Sequence, residues 1–110
     1  MSLRDMNCTF SPAALPDQAV ASLLAELDGW AVNGARIERR YLLRDYHETI
    51  AFVNALAWMT HQQDHHPDLA VTYNSCTVSY CTHSAGGKLT NNDFICAAKA
   101  DALYAQRAGA

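Results

Sequence analysis

The stretch DYHETIAFVNALAWMTHQQDHHP, residues 45–67, decides the fold. It opens with Asp45 and, three residues on, Glu48, the spacing of a capping box in which the first side chain accepts from backbone N–H groups and the second reaches back. Tyr46, Ile50, Val53 and Ala57 then form a helical seam with Phe52, Leu56 and Met59 beside it, so the spacing predicts a long helix. Pro67 prohibits its continuation and pushes His66 toward an extended conformation, which places the helix end near Gln63 or Asp64. One helix therefore sits at the middle of the chain, and whatever flanks it must pack on it.

Upstream, Trp30-Ala31-Val32, then Asn33-Gly34, then Ala35 to Leu43 read as a β-hairpin. Ile37, Arg39, Tyr41 and Leu43 fall on one face of its longer strand, and Glu38, Arg40 and Leu42 on the other. Downstream, Val71-Thr72-Tyr73, a turn at Asn74-Ser75, and Cys76 to Thr82 read as a second hairpin, followed by a flexible loop at Ser84 to Gly87. Further out, Val20, Leu23, Leu24 and Leu27 recur at helical spacing after Pro16, giving a first helix over 16–27. Thr90 with Asp93 is another capping-box spacing and opens a last helix through Ile95, Ala98, Ala102 and Leu103. The order is αββαββα. Two hairpins separated by a helix point to the α+β class, with one four-stranded antiparallel sheet and the helices packed on one face. A parallel sheet would need single strands alternating with helices.

The chain has 110 residues, which fits a single domain over 16–110 preceded by a loose N-terminal arm, 1–15, where no periodicity is found. Eight Lys and Arg against eleven Asp and Glu leave a formal charge of −3, so no basic field exists to hold nucleic-acid phosphates. Charged residues make up 17% while hydrophobic ones make up 50%, a balance expected of a protein whose surface is partly covered by another subunit in a homo-oligomer. The window Ala51 to Met59 is too short to cross a bilayer, and the N-terminus has no apolar run that would act as a signal. The four cysteines form no Cys-x-x-Cys pair, so reduced thiols and a cytoplasmic location are expected.

Chemistry concentrates in four of the five histidines. His61, His65 and His66 stand at the end of the central helix and His83 just beyond the second hairpin, the two places where the backbone changes direction. Imidazole exchanges protons near neutral pH with little driving-force penalty, and a positioned one is worth roughly 10² to 10⁴ in rate. If the helix persists, His61 and His65 share a face, and a helix C-terminus favours the protonated form of His65. Metal binding by that pair with a distant His or Cys is the first alternative, although Gln62 and Gln63 replace the usual His-Glu-x-x-His arrangement. A Cys81 nucleophile beside His83, on one face of a strand, is a second, set against the ordinary reading of a strand cysteine as core filler. Asp93 reads equally as a helix cap, Trp30 as a core aromatic or a stacking platform for a flat ligand, and Tyr73 and Tyr80 as ordinary strand residues. A non-catalytic interaction module is the third class.

The run His61-Gln62-Gln63-Asp64-His65-His66-Pro67, followed by Tyr73, His83 and Asp93, resembles the signature of the pterin-4a-carbinolamine dehydratases. Five residues separate Pro67 from Tyr73, nine separate Tyr73 from His83 and nine separate His83 from Asp93. The likeness extends from Gly29-Trp30 through Phe52 and Asn74 to Thr82-His83, Leu89-Thr90 and Asp93, about 16 to 105. It implies a fold of the αββαββα kind, assembly into dimers or tetramers, and dehydration of a 4a-hydroxytetrahydropterin to quinonoid dihydropterin. That reaction recycles the cofactor of aromatic amino acid hydroxylases, which makes a hydroxylase a further partner class. By resemblance His65, His66 and His83 are the acid–base residues, while His61, Asp64, Trp30, Thr82 and Asp93 bind substrate, and neither metal nor cofactor is required. Asp64 matches the acidic residue before the His pair. His61 stands where many relatives carry glutamate.

Overall fold

The computed structural model describes residues 2–107. Its main elements, in chain order, are α1 (Asp17–Leu24), β1 (Ala31–Asn33), β2 (Arg36–Leu42), α2 (Tyr46–Gln63), β3 (Asp68–Val71), β4 (Ser75–Tyr80) and α3 (Asn91–Ala105). The four strands form one antiparallel sheet in the order β1-β2-β4-β3, with helices on one face, as the flanked-helix reading requires. Ile37 pairs with Tyr80, Arg39 with Val78 and Tyr41 with Cys76, and except for half-buried Arg39 these central-strand residues are fully buried on the face beneath the helices. Phe52, Leu56 and Met59 of α2 and Phe94, Ile95, Ala97 and Ala100 of α3 complete the core. Each large side chain fully withdrawn from water there contributes about 1.5 to 3 kcal/mol.

The ends of the elements depart from the sequence reading for physical reasons. The first helix stops at Leu24 rather than residue 27, because Glu26 and Leu27 donate to Leu23 and Leu24 in tighter turns leading to Gly29, whose φ is +77°. The turn of the first hairpin is Gly34-Ala35, one residue later than expected, with Gly34 taking the positive φ of 63°. On α2, Asp45 accepts from the Glu48 N–H at 2.8 Å, but the Glu48 carboxylate reaches past the cap to the Arg44 N–H at 3.0 Å, so the box is half formed. The buried seam of α2 is Thr49, Phe52, Leu56 and Met59; Tyr46 and Ala57 face solvent, rotating the expected stripe. In the second hairpin, β3 starts directly after Pro67 and Tyr73-Asn74 form the tip, with Thr72 N–H donating to Ser75 O. The strand expected at 71–73 lies three residues earlier.

Two further expectations are corrected. The arm is not loose: Leu3 is buried within a 3-10 turn, the Cys8 N–H donates to Gln63 Oε1 at 2.8 Å, and Thr9 and Asn92 exchange two hydrogen bonds. The loop after β4 is closed, with Thr82 N–H donating to Lys88 O and Gly87 N–H to Thr82 O around a 3-10 turn at His83–Ala85. The chain therefore leaves the strand at Tyr80, and strand alternation does not place Cys81 and His83 on a common face.

Candidate active site

Asp93 organises the site from the first turn of α3. Thr90 is the N-cap, its Oγ1 accepting from the Asn92 N–H, and the Asp93 carboxylate returns the bond by accepting from the Thr90 N–H at 2.9 Å through Oδ2. The same oxygen accepts from the Thr82 hydroxyl at 2.8 Å, and Oδ1 lies 2.6 Å from His65 Nε2. Asp93 is fully buried, and written as a carboxylate it is an acceptor through both oxygens. That assigns the remaining hydrogens: His65 carries its proton on Nε2, and the Thr90 hydroxyl donates to Thr82 Oγ1, 2.8 Å away, because the one Thr82 proton is committed to Asp93. The helix N-terminus further favours negative charge at this position.

His65 reaches Asp93 because the chain turns sharply before it. Asp64, at φ 49° and ψ 43°, ends α2 in the left-handed conformation, and Pro67 forbids further helix. The β3–β4 ladder closes with Asp68 opposite Ser79; three residues back from the one and three forward from the other stand His65 and Thr82, both bonded to Asp93. The His65 ring stacks on Tyr80, with centroids 5.7 Å apart and planes 11° from parallel. Burial raises the Tyr80 phenol well above its ordinary pKa, and its hydroxyl has no partner among the described residues.

The structure thus joins His65, Thr82 and Asp93 in one buried network, with Thr90 and Tyr80 as members that the sequence reading did not assign to the site. Thr90 was visible only as a cap, and Tyr80 only as a strand residue on the covered face. His66 and His83 are exposed, each next in the chain to a network member, His65 and Thr82 respectively. Asp64 is exposed at the helix end. His61 is exposed on α2 with its ring 6.5 Å from that of Trp58, while His65 lies past the helix end and is buried; the two do not share a helix face, so the i, i+4 metal pair is not formed. Trp30 is part of a second network, in which Asp101 Oδ1 accepts from Trp30 Nε1 at 2.9 Å, Arg39 Nη1 at 2.8 Å and the Tyr41 hydroxyl at 2.5 Å. Its indole packs 6.0 Å from Tyr80, so one aromatic ring is packed against both Trp30 and His65. A depression of about 500 Å³ lies beside Arg39 and Asp101, at the opposite end of α3 from Asp93. The Asp101 carboxylate and Arg39 guanidinium there are engaged with each other, and the proton-exchanging groups are at the histidine end.

The family profile of Pterin 4 alpha carbinolamine dehydratase matches residues 13–103. A protein of Chromobacterium violaceum named for pterin-4-alpha-carbinolamine dehydratase is 49% identical over 106 residues, covering 94% of this chain and 97% of its own. One of Xanthomonas campestris pv. campestris with the same designation is 51% identical over 94 residues, covering 84% and 79%. Among solved structures, a Brucella melitensis protein described as a transcriptional coactivator/pterin dehydratase superposes with a TM-score of 0.78 at 30% identity, covering 83% of this chain and 98% of that one. A match spanning this much of the chain, at these identities and with the same sheet and helices, leaves one assignment: the chain belongs to the pterin-4-alpha-carbinolamine dehydratase family.

Proposed function

We propose that the protein removes water from a 4a-hydroxytetrahydropterin by histidine acid–base catalysis. The single observation that carries this reading is the buried Asp93–His65 pair, with exposed His66 next in the chain to His65 and exposed His83 next to Thr82, which is bonded to Asp93. Dehydration needs an acid to protonate the departing 4a-hydroxyl and a base to take the N5 proton, after which the C4a–O bond breaks and quinonoid dihydropterin and water leave. His66 and His83 are the proton-transfer partners, being open to a substrate. His65, fixed through Nε2, presents Nδ1 as its remaining hydrogen-bonding atom and orients the substrate from the edge of the site. Thr82 and Asp93 act by holding His65 in one tautomer and one orientation. No step calls for a metal or a redox group.

The product requires reduction before reuse, so the reading places the protein beside a pterin-dependent aromatic amino acid hydroxylase. Self-association accompanies it: β3 is an exposed edge strand, and Leu69, Val71, Tyr73 and the α2 residue Trp58 are exposed apolar side chains. α3 is largely in the core and presents less apolar surface to a second copy. The test of the activity is the rate of carbinolamine loss, followed by stopped-flow absorbance with and without the protein; acceleration supports the reading, and an unchanged rate from folded protein favours an interaction module.

A further inference from the structure

Cys8 and Cys96 stand apart from the proposed chemistry and form a contact that the dehydration does not use. Their Sγ atoms are 3.5 Å apart, although the residues are 88 positions apart in the chain, and Cys8 Sγ also lies 3.7 Å from Asn92 O. Cys96 is fully buried on α3, while Cys8 is half-buried on the arm and can be reached by a small solute. The arm is held in register there, since Cys8 N–H donates to Gln63 and Thr9 pairs with Asn92 on both sides of the thiol. The other two cysteines lack this arrangement: Cys76 is buried in the sheet and Cys81 follows β4.

We infer that Cys8 and Cys96 are a hydroperoxide-reactive dithiol that closes into a disulfide joining the arm to α3. The Cys8 thiol is held below its ordinary pKa, chiefly by the hydrogen bond from Cys96, with His65 and Lys99 adding to the effect against burial and the Asp93 charge. Cys96 is pushed well above its ordinary pKa by that hydrogen bond and by burial, so it stays protonated. The roles follow from position, half-buried Cys8 being the thiol nearer solvent and Cys96 the fully buried partner behind it, and the pKa directions agree. The Cys8 thiolate attacks one oxygen of hydrogen peroxide; an S–O bond forms, the O–O bond breaks, and hydroxide leaves and takes up a proton as water. The Cys96 sulfur then attacks the Cys8 sulfenic acid; the S–S bond forms, the S–O bond breaks, and a second water departs with the Cys96 proton. In sum two thiols lose two electrons and two protons, and one peroxide becomes two waters.

The experiment treats reduced, desalted native protein with a few equivalents of hydrogen peroxide, removes the excess, unfolds the protein in denaturant that contains the alkylating reagent so that buried thiols are also counted, and maps the peptides by mass spectrometry. Expected are a fall from four reactive thiols to two, a mass lower by two hydrogen atoms, and a linked peptide containing Cys8 and Cys96 that dithiothreitol separates. Cys96→Ser should leave a Cys8 sulfenic acid that dimedone captures, and Cys8→Ser should form no intramolecular link. Recovery of Cys8 and Cys96 unlinked in treated wild type, a link from Cys8 to a second chain, or pairing with Cys76 or Cys81 would overturn the inference, and none of these readouts depends on how a variant folds.

Discussion

A single carboxylate does two jobs in this molecule. Asp93 Oδ2 completes the cap of α3 and Oδ1 holds His65, so the cap reading from the sequence is met, and the contact with a histidine, which spacing alone does not separate from it, is made by the same side chain. Replacing it with Ala leaves the Thr90 N–H, the Thr82 hydroxyl and the His65 N–H without their buried acceptor and should cost roughly 2 to 4 kcal/mol, measured by urea unfolding. A loss under about 0.5 kcal/mol would show that the network carries little stability. His66→Ala and His83→Ala are expected to lower kcat by roughly 10² to 10⁴ each while leaving the fold intact by circular dichroism, since both side chains are exposed and each removal takes away one proton partner. Their combination should lose less than the product, because two groups acting on one bond-breaking step are not additive. His61→Glu introduces the residue that the family resemblance places here; beside Trp58 and off the buried network, it should change activity by less than about tenfold, or 1.4 kcal/mol of barrier. A collapse of activity there would move His61 into the mechanism.

The elements were legible where local chemistry fixes them and illegible where tertiary contacts do. Asp45 and Thr90 announced α2 and α3 because caps are local hydrogen bonds, and both accept as their spacing requires. The rotation of the α2 stripe was hidden because nearly every position from Ile50 to Met59 is apolar, so the pattern selects no single face; packing on Phe94, Ile95 and the sheet selects Phe52, Leu56 and Met59. β3 was misplaced because Val71-Thr72-Tyr73 has the stronger strand composition, yet Leu69 and Val71 pair with Val78 and Cys76, and the Arg36–Asp68 ion pair at 2.7 Å helps hold the strand's start. Asp64 marks the same limit: its left-handed φ of 49° makes the turn that delivers His65, a backbone role that the resemblance presents as ligand binding. Asp64→Gly should therefore raise stability by up to about 1 kcal/mol and Asp64→Val lower it by more than about 1 kcal/mol in thermal or urea melts. If instead Asp64→Gly keeps the fold but abolishes activity, the carboxylate contacts substrate.

At the scale of the whole molecule, the 17% charge content finds its counterpart in apolar side chains left at the surface: Trp58 on α2, Leu69 and Val71 on the edge strand β3, and Tyr73 at the hairpin tip. Light scattering at micromolar concentration should give a mass of two or four times the 12.1 kDa chain, and a monomer at that concentration would contradict the proposed self-association. No helix among the described residues is long and apolar enough to cross a membrane. The layer architecture was readable because two hairpins around a helix admit few arrangements, whereas the docking of the arm on α3 was not, since it rests on Cys8, Thr9, Gln63 and Asn92 meeting across the chain with no periodic signature. All these scales meet in the claim that histidines around Asp93 eliminate water from a pterin carbinolamine. The measurement that tests it most directly is stopped-flow decay of 4a-hydroxytetrahydropterin at catalytic protein concentration, comparing wild type, the His66→Ala/His83→Ala double variant and buffer. The account predicts clear acceleration by wild type and a rate near that of buffer for the folded double variant; a double variant as fast as wild type would contradict it.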